Sequence, residues 1–578
     1  MLTRRRVVSA LAVVVLLALG WTAWLAYQTA RDLRTAEQAV DRIRAAVKAE
    51  DPTRRSEAIQ ELADASQAAK DRTAGLWWSG LTWVPFFGDD MGGVQDLSES
   101  LDLLATEAFV PLGDTVDALD SVVVSGRIDL DKLESLEPDV VAAHKAFQSA
   151  VEIVDARDSS GFAGILRSRY DRYVSEIAAL ARDLGSAEDA LGVLPTMLGS
   201  NEPRQYLLIF ENNAEIRATG GLPGSWALVR AVDGKLTMDR QGSAGDFPAY
   251  STPIGDITPA EGALFGPEMG RFFQDPNFTP DFPRAAEVFD AFWLAKYPNE
   301  PLDGVISIDT VALSYVLEGT GPVEAAGFTL TPDTVVDQLL SDVYEEPDTS
   351  KQDEVFRNVA RTVFESVTTG LKSPLDLLQG IARATREGRF RIAPFDKSEA
   401  LALDGTRIVG SLTGDEGTTP RIDVALNDGT GSKMSYYLRY RTDVQSIACV
   451  GTVQRFGATI TLSQALSAAA ARSLPDFVLG SPPAGVDVGT QLVRMHVFAP
   501  YAGSLSDIKI NGQAVAVPEL VMLGGRPAVT LNILVDSTSD VIVTFDLEGA
   551  PGQTEGAVLH QTPSIIPGGS PRNVASSC

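Results

Sequence analysis

A polar loop between two apolar runs holds the residues of this chain whose types and spacing could do chemistry. The runs, residues 206–210 and 225–232, have the length and composition of strands. Asp233-Gly234 then predicts a two-residue hairpin turn. The loop, residues 211–224, concentrates amide, acidic, cationic and hydroxyl side chains: Asn212, Asn213, Glu215, Arg217 and Thr219, followed by Gly220-Gly221. This pattern indicates a site, or else asparagine and glycine merely turn the chain.

Several familiar catalytic chemistries lack their motifs here. The three histidines, His144, His496 and His560, have no metal-ligand spacing. The sequence contains no Gly-x-Ser-x-Gly elbow, Walker-type loop or His-Glu-x-x-His motif. We therefore expect neither a serine triad nor a catalytic zinc.

The composition describes a strongly acidic body. The formal net charge is −29 and the isoelectric point is ≈ 4.5, which argues against nucleic acid and anionic lipid as partners of the body. A local pocket of arginine and Mg²⁺ could still hold an anionic substrate. Cys449 and Cys578 could form one disulfide in an exported body, and two separate free thiols are the alternative.

An uncharged run near the start of the chain predicts a transmembrane helix. Arg4, Arg5 and Arg6 precede Val7–Tyr27, and helical residues at about 1.5 Å each let such a run span a bilayer core of roughly 30 Å. The arginines place residues 1–6 in the cytoplasm and the body outside. We therefore expect the lipid bilayer as a partner and a single-pass cell-membrane location. A cleaved signal peptide is the alternative, but no clear cleavage site follows.

Four further regions are expected after this anchor. Helical apolar stripes in residues 28–200 predict an extracytoplasmic α-helical bundle. Alternating strands and helices in residues 201–389 predict an α/β domain of α-β-α type. Residues 390–420 are interpreted as a linker, and turn-separated strands in residues 421–578 predict a β-sandwich. The expected fold class is multidomain, from transmembrane helix to C-terminal β-sandwich.

The loop also carries a family resemblance. ENNAEIRATGG, followed by GSWALV and DGK, resembles the signature of a bacterial cell-envelope family, domain-of-unknown-function family 4012. The order of elements over about Arg204–Lys372 is also similar to that of the LytR-CpsA-Psr phosphotransferases, which attach lipid-linked glycopolymers to the cell wall. Arg357 matches a phosphate-binding arginine of that second family. Asp246 matches the acid of the Arg-Asp-Thr motif of that second family, and the arginine of the motif is missing here.

The second resemblance implies a pyrophosphate cradle, provided that folding brings its parts together. Catalytic roles would fall to Arg217, Asp246 and Arg357, with Asp246 as a ligand of Mg²⁺. Substrate binding would involve seven further residues: Asn212, Asn213, Glu215, Thr219, Arg240, Arg284 and Arg361. The missing arginine favours non-catalytic handling of cell-surface polysaccharide or lipid-linked glycopolymer during envelope assembly. A glycopolymer phosphotransferase and a structural scaffold are the alternatives, and self-association stays open.

Overall fold

A computed structural model gives the fold, and in its first helix the side chains are described from Leu16 onward. The chain divides into two compact units, Met1–Val123 with Asp129–Pro195 and Val124–Ile128 with Thr196–Cys578. The described residues are 2–85, 87–119, 121–124, 126–345, 348–412, 417–482, 484–516, 520–568, 570 and 572–578.

The first unit is built of helices that pack along apolar stripes. Buried side chains such as Leu104, Phe147 and Ile177 form one core, and Ala36 and Leu62 belong to another. Local capping sets where the helices begin: Asp51 accepts the Arg54 N–H (3.0 Å), with Pro52 at the first helical position. The helices are α1 (Leu2–Lys48), α2 (Pro52–Thr73), α3 (Leu76–Leu81), α4 (Gly88–Glu107), α5 (Phe109–Leu119), α6 (Leu130–Asp155) and α7 (Gly164–Met197). Two short paired strands, β1 (Val123–Val124) and β2 (Arg127–Ile128), follow α5, and residues 124–128 among them belong to the second unit.

The prediction of a transmembrane helix at Val7–Tyr27 is wrong. Across the described residues, no helix combines the length and the apolar character that crossing a bilayer demands. The segment opens the much longer helix α1, which soon carries Arg31 and the buried Asp32. Asp32 pairs with Arg72 of α2. An uncharged run alone did not distinguish a membrane span from the start of a packing helix. The predicted anchor and the predicted single-pass membrane location are therefore wrong as well.

The second unit contains a five-stranded mixed sheet in the order β5-β4-β3-β6-β9. Only β3 and β6 run parallel to each other, and this register places Glu211 beside Asp309 at the carboxyl ends of both strands. Asp233 and Gly234 both have positive φ (49° and 76°) in the hairpin turn between β4 and β5. The strands are β3 (Arg204–Asn212), β4 (Leu222–Val232), β5 (Lys235–Ser243), β6 (Gly304–Asp309) and β9 (Phe390–Pro394).

Helices surround this sheet. Phe289 and Trp293 of one helix pack with Trp226 of β4 in a core rich in aromatic rings. A two-stranded sheet, β7 (Val323–Ala325) and β8 (Phe328–Leu330), lies among the helices. The helices are α8 (Pro259–Phe265), α9 (Phe282–Lys296), α10 (Thr310–Thr320), α11 (Val335–Leu340), α12 (Thr349–Thr369), α13 (Pro374–Arg386) and α14 (Lys397–Leu403). The predicted linker, residues 390–420, thus contains β9 and α14.

Two larger sheets complete the second unit and enclose one core. The six-stranded sheet has the order β16-β17-β13-β10-β19-β20, and the five-stranded sheet has the order β11-β12-β18-β14-β15. Phe456 and Phe545 from the second sheet meet Val493 and Ile422 from the first. The elements are β10 (Arg421–Asp428), β11 (Leu438–Val450), β12 (Val453–Gln464), α15 (Ala468–Ala471), α16 (Asp476–Leu479), β13 (Gln491–Phe498), β14 (Ser504–Ile510), β15 (Gln513–Ala514), β16 (Val521–Leu523), β17 (Arg526–Val535), β18 (Val541–Glu548), β19 (Ala557–Gln561) and β20 (Arg572–Val574).

Candidate functional site

The polar loop between β3 and β4 is buried within the second unit. Its Ala218 N–H donates to Asn427 Oδ1 (2.8 Å), and its Ile216 N–H donates to Ser435 Oγ (3.1 Å). The Ile216 side chain lies in the core between the two larger sheets. The loop therefore joins the mixed sheet to the six-stranded sheet, and its polar side chains face protein on all sides.

Arg217 forms the centre of one buried charge cluster. Its Nη2 donates to Glu215 Oε1 (3.0 Å) and to Asp275 Oδ1 (3.1 Å), and its guanidinium lies 4.7 Å from the centre of the Phe278 ring. Lys433 Nζ pairs with the other oxygen of Glu215 (2.5 Å). Burial disfavours the charged form of Glu215, but Lys433 and Arg217 outweigh that effect and lower its pKa. Burial raises the pKa of Asp275 to about 6. Arg217 is thus committed to carboxylates of its own chain.

A second buried cluster surrounds Glu211, the last acid of β3. Glu211 is 2% exposed, and its Oε1 accepts from Thr219 Oγ1 (2.7 Å) and Asn277 Nδ2 (3.3 Å). Glu211 Oε2 and Asn277 Oδ1 have no hydrogen-bond partner among the described residues. Burial raises the pKa of Glu211 to about 7, against the opposing charge of Arg391. The Glu211 carboxyl is therefore a buried group that titrates near neutral pH.

Asp309, at the end of the neighbouring parallel strand β6, is held by cations and amides. Its Oδ2 accepts from Arg389 Nη1 (2.8 Å) and Asn213 Nδ2 (2.9 Å), while its Oδ1 caps α10 by accepting the Ala312 N–H (2.7 Å). Burial opposes the charge of Arg389, but Asp309, Tyr315 and Glu387 together outweigh it and raise the arginine pKa. Two carboxyl groups at adjacent strand ends thus have different hydrogen-bond partners. No cavity described below is lined by them.

Sequence reasoning missed Asp309, Arg389 and Arg391 as members of this centre. A usable signal was present, because Arg389 and Arg391 are two positions apart at the start of β9 and Asp309 ends a strand beside Glu211. Burial lowers the pKa of Arg391, and its Nη1 donates to the Thr219 carbonyl. The signal was obscured because these two arginines lie at the boundary of the α/β region and the expected linker.

The structure brings Asp246 and Arg357 to the same neighbourhood, around Asp353. Burial raises the pKa of Asp353; Arg357 lowers it, and Asp246 adds to the rise. The exposed Asp246 accepts the Ser243 N–H through its carboxylate (2.8 Å). Nearby, Arg361 Nη2 lies 2.5 Å from the side-chain amide group of Gln241.

The other predicted cations lie elsewhere, each with its own acids. Arg240 pairs with Glu300 and lies over the Tyr297 ring at 4.7 Å. Arg284 pairs with Glu261 (2.6 Å) and Glu287 (2.7 Å). Asn212 donates to the Tyr344 hydroxyl. Together with the commitment of Arg217 to Glu215 and Asp275, this means that the predicted arginines form no single cradle for a pyrophosphate.

The residue types needed for a metal centre do not come together. In the parts of the chain that are described, no group of three or more His, Cys, Asp and Glu side chains could hold a metal ion. The carboxylate of Asp246, the predicted Mg²⁺ ligand, accepts a hydrogen bond from the Ser243 N–H in its own turn. The two cysteines, by contrast, are joined: Cys449 and Cys578 form a disulfide.

An open groove lies on the outer face of the five-stranded sheet that contains β11, in the order β11-β12-β18-β14-β15. Along β11, Thr442 is fully buried, whereas Ile447 is 60% exposed, so the strand turns alternate side chains inward and outward. The groove has a volume of ≈ 310 Å³ and is lined by Asp443, Gln445, Ile447, Gly457, Ala458, Thr459, Asp507, Thr544, Phe545 and Asp546. Carboxylate, amide and hydroxyl groups thus converge on one accessible surface.

A second cavity of ≈ 350 Å³ adjoins β8 and α12. It is more apolar, and its lining residues are Ala326, Phe328, Asp342, Val343, Lys351, Glu354, Val355 and Asn358. The groove on the five-stranded sheet is the better candidate site, because its polar groups outnumber its apolar ones and belong to regular strands that hold them in place.

Comparison with known proteins identifies one segment of the chain. No curated protein and no solved structure matches it. Residues 201–344 match the model of a family described as "Protein of unknown function (DUF4012)". This segment contains β3 to β8 and the buried polar loop. The match does not include the phosphotransferase resemblance or a cell-envelope membrane setting. Residues 201–344 are therefore similar to the DUF4012 family.

Proposed function

We propose that this protein binds polysaccharide in the groove lined by β11, β12, β14 and β18, without cleaving or transferring it. The observation that carries the proposal is the groove lining. Asp443, Asp546 and Gln445 offer carboxylate and amide groups, and Thr459 and Thr544 add hydroxyls. Sugar hydroxyl groups both donate and accept hydrogen bonds, so such a lining suits them. The exposed Ile447 supplies an apolar contact for a sugar ring.

The buried charge pairs support binding over phosphoryl transfer. A lipid pyrophosphate needs several cations around its oxygens. Arg217, Arg240 and Arg284 are instead each paired with carboxylates. If one of these arginines turned to a phosphate, its carboxylate would lose its partner. For the buried cluster of Arg217, an unpaired carboxylate would destabilise the folded state by several kcal/mol.

The charge of the groove favours an uncharged saccharide. No lining residue is a cation, and Asp443 and Asp507 already pair with Arg441 (2.7 Å) and Lys509 (2.5 Å). An anionic polymer therefore gains no cation in the groove, and the whole chain carries a formal charge of −29. The family resemblance implies cell-surface polysaccharide or lipid-linked glycopolymer as the ligand class. Within that class, the proposal assigns the groove to a neutral stretch of the polymer.

Binding of neutral oligosaccharides to the full chain tests the proposal directly. Titration calorimetry against a panel of neutral and anionic oligosaccharides should find binding for neutral members. Gln445→Ala and Asp546→Ala should each weaken it about 10-fold, the effect of one lost hydrogen bond of about 1.4 kcal/mol. Asp540→Ala is the matched control, since Asp540 is exposed and does not line the groove.

Two results would overturn the proposal. The first is an affinity that the groove variants leave unchanged, or no binding to any neutral oligosaccharide. The second concerns catalysis: release of lipid phosphate from a polyprenyl-pyrophosphate oligosaccharide by the full chain would show turnover. That result would restore the phosphotransferase.

A further inference from the structure

The C-terminal tail runs along the strand that forms one wall of the groove. Cys578, the last residue, is joined by a disulfide to Cys449 of β11. Ser577 Oγ lies 2.7 Å from Ser446 Oγ in the same strand. Further back, Arg572 Nη2 donates to the Thr442 carbonyl (2.5 Å). The tail is therefore attached to β11 at three successive places, of which the disulfide is the only covalent one in the described chain.

This attachment bridges two sheet edges. Strand β11 is the edge strand of the five-stranded sheet, and β20, which begins the tail, is the edge strand of the six-stranded sheet. An edge strand has a hydrogen-bonded neighbour on one side only, so it opens more readily than a central strand. The tail compensates for the missing neighbour of β11 by tying it to the opposite sheet.

The clasped strand supplies much of the groove. Asp443, Gln445 and Ile447 project from β11 into it, and Asp443 also lies 3.9 Å from Arg572 of the tail. These three side chains keep their positions only while β11 stays paired with β12 along Asp443–Val450. The register shifts between Ser446 and Ala448, which weakens the pairing at the end nearest the disulfide.

We propose that the Cys449–Cys578 disulfide is a redox-controlled clasp, which keeps the groove in its binding form and releases it on reduction. The inference rests on the proposed function, since it assigns a control to the same groove. Cys578 is exposed, so a reductant can reach its sulfur. Ligand binding should then belong to the oxidised protein.

The step is thiol–disulfide exchange with a dithiol reductant. A thiolate of the reductant attacks one protein sulfur, the protein S–S bond breaks, and a mixed disulfide forms. The second thiol of the reductant then displaces the protein sulfur. Two electrons and two protons have moved to Cys449 and Cys578, which become thiols, and the reductant leaves as its own disulfide.

Hydrogen exchange of the full chain, with and without dithiothreitol, tests the clasp. Amides of 443–450 and 572–578 should exchange at least 10-fold faster after reduction, whereas amides of β3 should not change. The double variant Cys449→Ser/Cys578→Ser should show the faster exchange without reductant and be insensitive to dithiothreitol. The variant Ser577→Ala, which removes one neighbouring hydrogen bond and keeps the disulfide, should exchange like the oxidised wild type.

Affinity for the neutral oligosaccharide is measured on the same samples. We expect at least a 5-fold loss on reduction and in the double cysteine variant. Unchanged exchange at 443–450, or faster exchange with unchanged affinity, would overturn the clasp. Absence of oligosaccharide binding in the oxidised protein would instead overturn the proposed function, and the exchange data would still decide whether the disulfide orders the groove wall.

Discussion

The buried carboxyl of Glu211 should make the stability of the second unit depend on pH near neutrality. Burial raises its pKa from 4.5 to about 7 in the folded chain. The folded state therefore holds the proton more tightly than the unfolded state does. Stability from this group is fully present below pH 4.5 and is lost as the pH rises through 7. A difference of about 2.5 pKa units corresponds to about 3 kcal/mol.

Glu211→Gln should remove this dependence and stabilise the folded state at alkaline pH. The glutamine Oε1 can keep the hydrogen bonds that Thr219 and Asn277 donate to Glu211 Oε1. Because no charge forms at this position, the variant should exceed the wild type by about 3 kcal/mol at pH 8. At pH 4.5 the two proteins should be nearly equal.

Hydrogen exchange of the β3 amides at several pH values, corrected for intrinsic exchange rates, gives the local free energy of opening. Burial also raises the pKa values of Asp275 and Asp281, in both cases to about 6, so part of the loss at lower pH is not due to Glu211. Between pH 6 and pH 7 Glu211 contributes most of the loss, which for this group is at most about 1.4 kcal/mol, and the difference between the wild type and Glu211→Gln removes the share of the two aspartates.

Glu365→Gln serves as the control, because Glu365 is exposed on α12. It should leave the pH profile of the wild type intact. A Glu211→Gln profile that falls as steeply as that of the wild type between pH 6 and pH 8, or a variant less stable than the wild type at pH 8, would refute this reasoning. In that case, the charged carboxylate would be compensated in the folded chain.

Three further substitutions test the buried architecture. Arg389→Ala should lower the free energy of unfolding, measured by thermal melts, by about 3–5 kcal/mol, because Asp309 stays buried without its cation. Its control is Arg383→Ala: the Arg383 side chain is half-exposed on α13, so this substitution should cost less than about 1 kcal/mol. Phe456→Ala should cost about 3–5 kcal/mol in the core between the larger sheets, and equal melting of variant and wild type would contradict that packing. Arg217→Ala should lower the melting temperature and leave oligosaccharide affinity unchanged, since Arg217 lies outside the groove.

Local patterns in the sequence were sufficient for the strands and turns around the polar loop. The apolar runs at 206–210 and 225–232 lie in β3 and β4, because strand-forming residues and a hairpin turn report backbone geometry over a few positions. The uncharged run at Val7–Tyr27 shows the limit of such patterns. Composition describes a segment, whereas its role depends on the rest of the helix to which it belongs.

The partners of the polar loop could not be predicted, since they are distant in the chain. Ala218 meets Asn427, and Asn213 meets Asp309. Hydropathy also gave no warning that polar residues such as Arg217 would be buried, because a buried cation becomes favourable only once its acids are in place. The groove was missed for another reason: it combines residues of four strands, none of which has a distinctive motif.

The loop also determines where the chain can be cut. The family match ends at residue 344, but β9, the antiparallel neighbour of β6, begins at Phe390. A fragment of residues 201–344 would leave the β6 edge unpaired and Ile216 without its core. An open edge beside exposed apolar surface promotes aggregation. The family segment is therefore a recognisable stretch of sequence but not an autonomous folding unit, because the compact unit that contains it also includes residues 124–128, β9 and the two larger sheets.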